Sequence, residues 1–122
     1  MIKLKKNYAS LNSKSNNLYE MTDADIEKMH QVILEIYDDL YKVCKKHSIK
    51  PIAGGGTALG SIRHKGFIPW DDDMDLNFTR ADYEVLKKVF KEELGDKYDL
   101  LAPGYQDGAN CFVMRLMKKN TT

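Results

Sequence analysis

The chain has 122 residues, 43% of them hydrophobic and 30% charged, and a formal net charge of +1. This length and balance describe one ordinary globular domain, and the near-neutral charge gives no polybasic case for binding nucleic acid or an anionic membrane. No apolar run approaches the roughly 20 residues of a membrane span, and the N-terminal MIKLKKNYAS has cations without the apolar stretch of a signal peptide behind it.

In chain order, residues 1–20 are rich in Lys, Asn and Ser and read as an N-terminal arm that can lay Leu11, Leu18 or Tyr19 on a domain at 21–122. Thr22 reads as an N-cap, with Asp23, Asp25 and Glu27 in the first turn, where the helix dipole favours negative charge. Ile26, Met29, Ile33, Ile36, Tyr37, Leu40 and Cys44 then recur at helical spacing, so a helix is expected over about 23–47. Its apolar stripe is read as core packing, and His30 and His47 as surface or packing-edge residues. Residues 49–53 are short and β-prone, with Pro51 favouring an edge or early strand position. Gly54, Gly55 and Gly56 permit positive φ and close backbone approach, and residues 57–64 fit a short helix whose N-terminus offers unpaired N–H groups to an anion.

Lys65 and Gly66 break that helix, and residues 67–70 form an apolar corner with Trp70 as its expected anchor. Thr79 is expected to cap the next helix, with Asp82 as the acid of a capping box. Tyr83, Leu86, Val89, Phe90 and Leu94 form its buried stripe, and Gly95 stops it. Residues 98–101 and 111–116 read as strands joined through Pro103-Gly104 and Asp107-Gly108 turns, plausible partners in a hairpin. The order αβαβαββ implies an α+β (mixed α/β) fold, a small mixed sheet flanked by helices. Cys44 and Cys111 lack metal-ligand spacing. With no signal peptide they are expected to be reduced thiols in the cytoplasm. A peripheral membrane association stays open.

The chemistry is concentrated between residues 53 and 78. Four aspartates fall within five positions, and from Asp73 onward acid or Asn alternates with Met74, Leu76 and Phe78. On a strand, residues i and i+2 share a face. Asp73 and Asp75 then face one way together, and like charges so placed repel unless a cation lies between them. A divalent-metal site follows, with Mg²⁺ or Mn²⁺ as the ion and Asp73 and Asp75 as ligands. Mg²⁺ suits carboxylates completed by substrate phosphates. By the same parity Asp72 points away, and Asp71 precedes the regular strand in a loop-positioning role. Arg63 and Lys65 are candidate contacts for substrate phosphates; a charged helix end is the plainer reading. His64 can serve as a general base only if a nucleophile lies near it. Arg80 either neutralises an aspartate or is simply exposed.

The segment GGGTALGSIRHKGFIPWDDDMDLNFTRADYEVL resembles the signature of the LicD family of phosphocholine transferases. The resemblance is dense over about residues 52–90. A weaker pattern, Gly-Gly-Thr followed by Asp-apolar-Asp, is similar to the wider nucleotidyltransferase superfamily with its polymerase-beta-like fold. The resemblance implies that Gly55, Gly56 and Thr57 form the substrate-phosphate turn and that Asp73 and Asp75 hold the metals. It implies a donor such as CDP-choline, release of a nucleoside monophosphate, and an acceptor hydroxyl on a glycan or teichoic-acid precursor. It also implies a longer protein, of which this chain is an N-terminal fragment, and a third carboxylate from a later strand, for which Asp99 and Asp107 are the nearby candidates. Transfer of the nucleoside monophosphate itself, or an inactive remnant that binds metal or nucleotide, are the alternatives.

Overall fold

The computed structural model describes residues 21–105 and 112–121. The expected arm at 1–20, Asp107 and Cys111 lie outside these residues. The elements run in the order expected: α1 (Asp23–Lys46), β1 (Ile52–Ala53), α2 (Gly55–Arg63), β2 (Leu76–Asn77), α3 (Arg80–Glu93), β3 (Tyr98–Leu101) and β4 (Arg115–Lys118).

Local chemistry sets the boundaries of α1. The Thr22 hydroxyl accepts from the Asp25 N–H at 3.2 Å, and the Asp25 carboxylate accepts from the Thr22 N–H at 2.9 Å, a reciprocal cap. At the other end Ser48 turns left-handed at φ 57°. Ile49 N–H then reaches Cys44 O at 2.8 Å and Ser48 N–H reaches Lys45 O, the pattern of a Schellman stop. Thr79 caps α3 through the Asp82 N–H at 3.1 Å. The Asp82 carboxylate does not return to Thr79; it accepts instead from the Lys50 N–H at 3.4 Å, tying α3 to the segment that enters β1.

Leu40, Val43 and Cys44 of α1 and Leu86 and Phe90 of α3 share a core with Ile49, Leu94, Tyr98, Leu100 and Ala102, and Leu76 and Phe78 pack against it. Burial of this apolar surface is the main favourable contribution to folding. It also raises the Cys44 thiol above its usual range, with the Asp82 charge adding to the effect.

The strands form two antiparallel pairs, β1 with β2 and β3 with β4, and no single mixed sheet joins them among the described residues. In the first pair Ile52 lies opposite Asn77 and Ala53 opposite Leu76. In the second, Tyr98 lies opposite Lys118 and Leu101 opposite Arg115. The last strand therefore starts later than its apolar run implies. Phe112 and Val113 are exposed and precede it, because the pairing register with β3 selects residues 115–118. Among the described residues, no helix is long and apolar enough to cross a membrane.

Asp39 links α1 to β3. Its carboxylate accepts from Lys97 Nζ at 3.0 Å, Lys42 Nζ at 3.0 Å and the Tyr98 hydroxyl at 2.9 Å. These hydrogen bonds, that of Lys97 foremost, hold the Asp39 carboxyl well below the usual carboxylate range. Burial, and then the bond to Asp39, push the Tyr98 phenol up to about 12. A carboxyl whose pKa is depressed on folding stabilises the fold above the unfolded-chain value, near 4, and that contribution fades as pH falls below it. Asp39→Asn should therefore be about 1–2 kcal/mol less stable at pH 7. The gap to the parent chain should narrow between pH 4 and pH 2, as measured by urea unfolding.

Candidate functional site

The expected site lies where the stretch after β1 runs beside the stretch before β2. The β1–β2 ladder continues past its last pair, since the Gly54 N–H donates to Asp75 O at 3.0 Å. The Asp75 N–H then donates to the Thr57 hydroxyl at 2.8 Å. Gly54 is the extended N-cap of α2. The acidic segment thus crosses directly over the glycines that open α2.

Each of the three glycines faces a side chain of that segment. A methyl group on Gly54 would lie 2.5 Å from Asn77 Nδ2, and one on Gly56 would lie 2.6 Å from Asp71 Oδ2. One on Gly55 would collide with Asp75 Oδ2, and Gly55 also has a positive φ of 42°. The glycines therefore admit the Asp71, Asp75 and Asn77 side chains against the start of the helix. They also place carboxylates at a positive dipole end. The N–H groups of Gly55, Gly56 and Thr57 make no hydrogen bond among the described residues, which leaves them oriented as donors at the start of α2.

The alternation expected after Asp73 is present in burial. Met74, Leu76 and Phe78 are half-buried, whereas Asp73, Asp75 and Asn77 are exposed. Regular strand, however, begins only at Leu76. Upstream of it the parity argument does not hold for Asp72. Carboxylate oxygens of Asp71, Asp72 and Asp73 all lie within 4.8 Å of one another, so Asp72 converges with its neighbours. Asp75 stands outside this trio, against Gly55. Although Asp73 is exposed overall, its carboxyl is raised above its ordinary value, first by partial desolvation and then by the charges of Asp75, Asp71 and Asp72. An all-carboxylate cluster under mutual repulsion has the donor chemistry of a hard divalent cation such as Mg²⁺ or Mn²⁺, so the residues present fit such an ion.

Asp72, Asp73 and Asp75 also line a cleft of about 850 Å³, together with Tyr37 of α1, Tyr83 of α3 and Phe112. Arg63 and Lys65 are exposed at the far end of α2 and form no ion pair among the described residues. Arg63 Nε–H donates to His64 Nε2 at 2.9 Å, so that nitrogen of His64 is an acceptor. Arg80 does not reach the aspartates. It pairs with Glu84 at 2.6 Å and lies over the Tyr83 ring at 5.3 Å. Trp70 is 73% exposed, and the corner is anchored by the buried Ile68 instead. Gly60 makes room for this corner, since a methyl group there would lie 2.6 Å from Gly66 O and 3.0 Å from Ile68 N. Asp99 sits on β3 beside Lys119 at 3.7 Å and does not join the acidic trio.

One contact was not legible in the sequence. His30 Nε2 lies 2.7 Å from the carbonyl oxygen of Asp71, and the ring stacks on Phe67 at 4.2 Å with planes 6° apart. No local pattern pairs residues 41 positions apart.

Comparison with known proteins gives the site a lineage. The family described as "LicD/FKTN/FKRP, nucleotidyltransferase domain" matches residues 48–116. The chain is 38% identical over 80 residues to the lipopolysaccharide cholinephosphotransferase LicD of Haemophilus influenzae, covering 66% of this chain and 30% of that protein. It is 29% identical over 90 residues to the uncharacterized protein RP689 of Rickettsia prowazekii, covering 72% and 32% respectively. It is 32% identical over 69 residues to RT0683 of Rickettsia typhi, covering 54% and 22%. The chain thus spans about a third or less of the length of these relatives. No solved structure matches it.

A methyl group should be costly where a neighbouring group or a positive φ stands in its way, and cheap where the space is open. Gly55→Ala should lose about 1–2 kcal/mol or more from the left-handed φ alone. Gly66→Ala, with nothing within 4 Å, should stay within about 0.5 kcal/mol of the parent chain. Urea unfolding of the two variants measures the difference.

Proposed function

The chain belongs to the LicD/FKTN/FKRP nucleotidyltransferase-domain family, and on that premise we propose that it is the phosphate- and metal-binding part of a transferase for substituted phosphate groups. The donor is CDP-choline or a close analogue, and the group moved is phosphocholine. The acceptor is a hydroxyl of a cell-surface glycan, in lipopolysaccharide or a teichoic-acid precursor. The reaction takes place in the cytoplasm. The observation that carries this reading is the crossing of the acidic segment over the opening of α2, with Asp75 against Gly55 and Asp71 against Gly56. The name of the Haemophilus influenzae relative supplies the choline phosphate.

In this reading the acceptor oxygen bonds to the phosphorus that bears choline, the bond from that phosphorus to the cytidine monophosphate oxygen breaks, and the hydroxyl proton is released. Asp73 and Asp75 are the ligands assigned to Mg²⁺ or Mn²⁺, with Asp71 and Asp72 close enough to share the charge. Such an ion would neutralise phosphate charge and stabilise the attacking and leaving oxygens. The chain's own contribution is positioning. The N–H groups of Gly55, Gly56 and Thr57 orient the donor's phosphate oxygens at a positive helix end. The Thr57 hydroxyl, already accepting from the Asp75 N–H, couples that turn to the carboxylates. Arg63 and Lys65 add positive charge for the diphosphate.

Calorimetry with Mg²⁺ and CDP-choline tests the proposal. The parent chain should bind the donor in a metal-dependent way, and Asp73→Asn and Asp75→Asn should each weaken that binding on the order of tenfold or more. Equal binding by the parent chain and both variants would remove the metal reading. Release of pyrophosphate from a nucleoside triphosphate, without release of cytidine monophosphate from CDP-choline, would favour transfer of the nucleotide instead.

A further inference from the structure

The acidic segment is held at both ends, and the two holds come from different elements. At Asp75, the Gly54 N–H and the Thr57 hydroxyl take the carbonyl and the amide from the β1–α2 side. At Asp71, the hold comes from α1, through His30. Between them, residues 72–74 make no main-chain hydrogen bond among the described residues. The Asp71 N–H donates to Ile68 O at 2.9 Å, which closes the corner leading into the segment.

A carbonyl oxygen only accepts, so the His30 nitrogen facing Asp71 must carry a hydrogen. At 2.7 Å this is a short, well-made bond. The ring is half-buried and lies flat on Phe67, which fixes its plane and aims the N–H. His30 is also mounted on a long helix whose later turns sit in the core through Leu40, Val43 and Cys44. A donor on a rigid element places its acceptor better than one on a loop. Fixing the Asp71 peptide fixes the start of the run in which the Asp71, Asp72 and Asp73 carboxylates converge.

We propose that His30 is a positioning residue: its Nε2–H, donated to the Asp71 carbonyl, sets the geometry in which the acidic segment receives a divalent cation. The cation part rests on the reading given above for the acidic segment; the positioning part rests on the contact alone. The competing account is that His30 simply packs on Phe67. Two substitutions separate them. His30→Phe keeps a ring to stack on Phe67 and loses the donor. His30→Gln loses the ring and keeps an N–H donor three bonds beyond Cβ, as in the imidazole.

The test uses the whole chain and two readouts, Mn²⁺ affinity by electron paramagnetic resonance and hydrogen exchange by NMR at the hydrogen-bonded amides of Asp71 and Asp75. His30→Phe should bind Mn²⁺ about tenfold more weakly and exchange faster at these amides, while its thermal unfolding stays close to that of the parent. His30→Gln should stay within about twofold of the parent in affinity and should restore the slow exchange. The proposal is overturned if His30→Phe matches the parent in both readouts, or if His30→Gln is as impaired as His30→Phe. If the parent binds no Mn²⁺ but the exchange difference persists, the cation reading fails and the positioning role stands.

Discussion

Repulsion among four aspartates within five residues is the constraint around which this domain is arranged. Left extended in water, such a run is a solvated turn. Here it is pressed against the start of a helix, and Gly55 and Gly56 are each the absence of a side chain that would otherwise keep an acid away. Charge so gathered is unfavourable in itself, and it adds to the desolvation that raises the Asp73 carboxyl. It is tolerated because the helix end offers positive potential and because the backbone on either side is fixed.

The scaffold is correspondingly simple. Two amphipathic helices, α1 and α3, share one core with β3, and the half-buried Leu76 and Phe78 attach the acidic strand to it. The connections between layers are polar and local to their tasks: Asp82 to the Lys50 amide, Asp39 to Lys97 and Tyr98, His30 to the Asp71 carbonyl. The Asp39 cluster ties α1 to β3 and contributes to stability. The His30 contact ties the same helix to the acids themselves. One element thus serves both the core and the candidate site, through residues at different turns.

Much of this was readable from the chain. Thr22 and Thr79 announced their helices, because a cap is a contact between residues two or three positions apart. The stripe from Ile26 to Cys44 announced which face of α1 is buried. The alternation of Met74, Leu76 and Phe78 with acid and amide was correct in burial, although regular strand begins only at Leu76. Parity failed where strand geometry failed, at Asp72. Trp70 was expected to anchor the corner because it is large and apolar, yet Ile68 does so, since Gly60 leaves room for the backbone at that point rather than for the indole. The final strand was displaced because its bounds are set by pairing with β3, not by the apolar run that precedes it.

Beyond the family, which followed from a resemblance, the sequence by itself determined the order and type of the elements, the ends of α1 and α3 (α2 begins at Gly55, two residues before its expected start), and the residues of the glycine turn and acidic segment. All of these are written in relations between near neighbours, at spacings of one to four residues. Only the tertiary structure decided which glycine lies beneath which acid, that Asp71, Asp72 and Asp73 converge, and that His30 reaches the Asp71 carbonyl. Those facts depend on how distant segments pack, and packing satisfies volume, charge and hydrogen bonding for all of them at once, which no local pattern encodes.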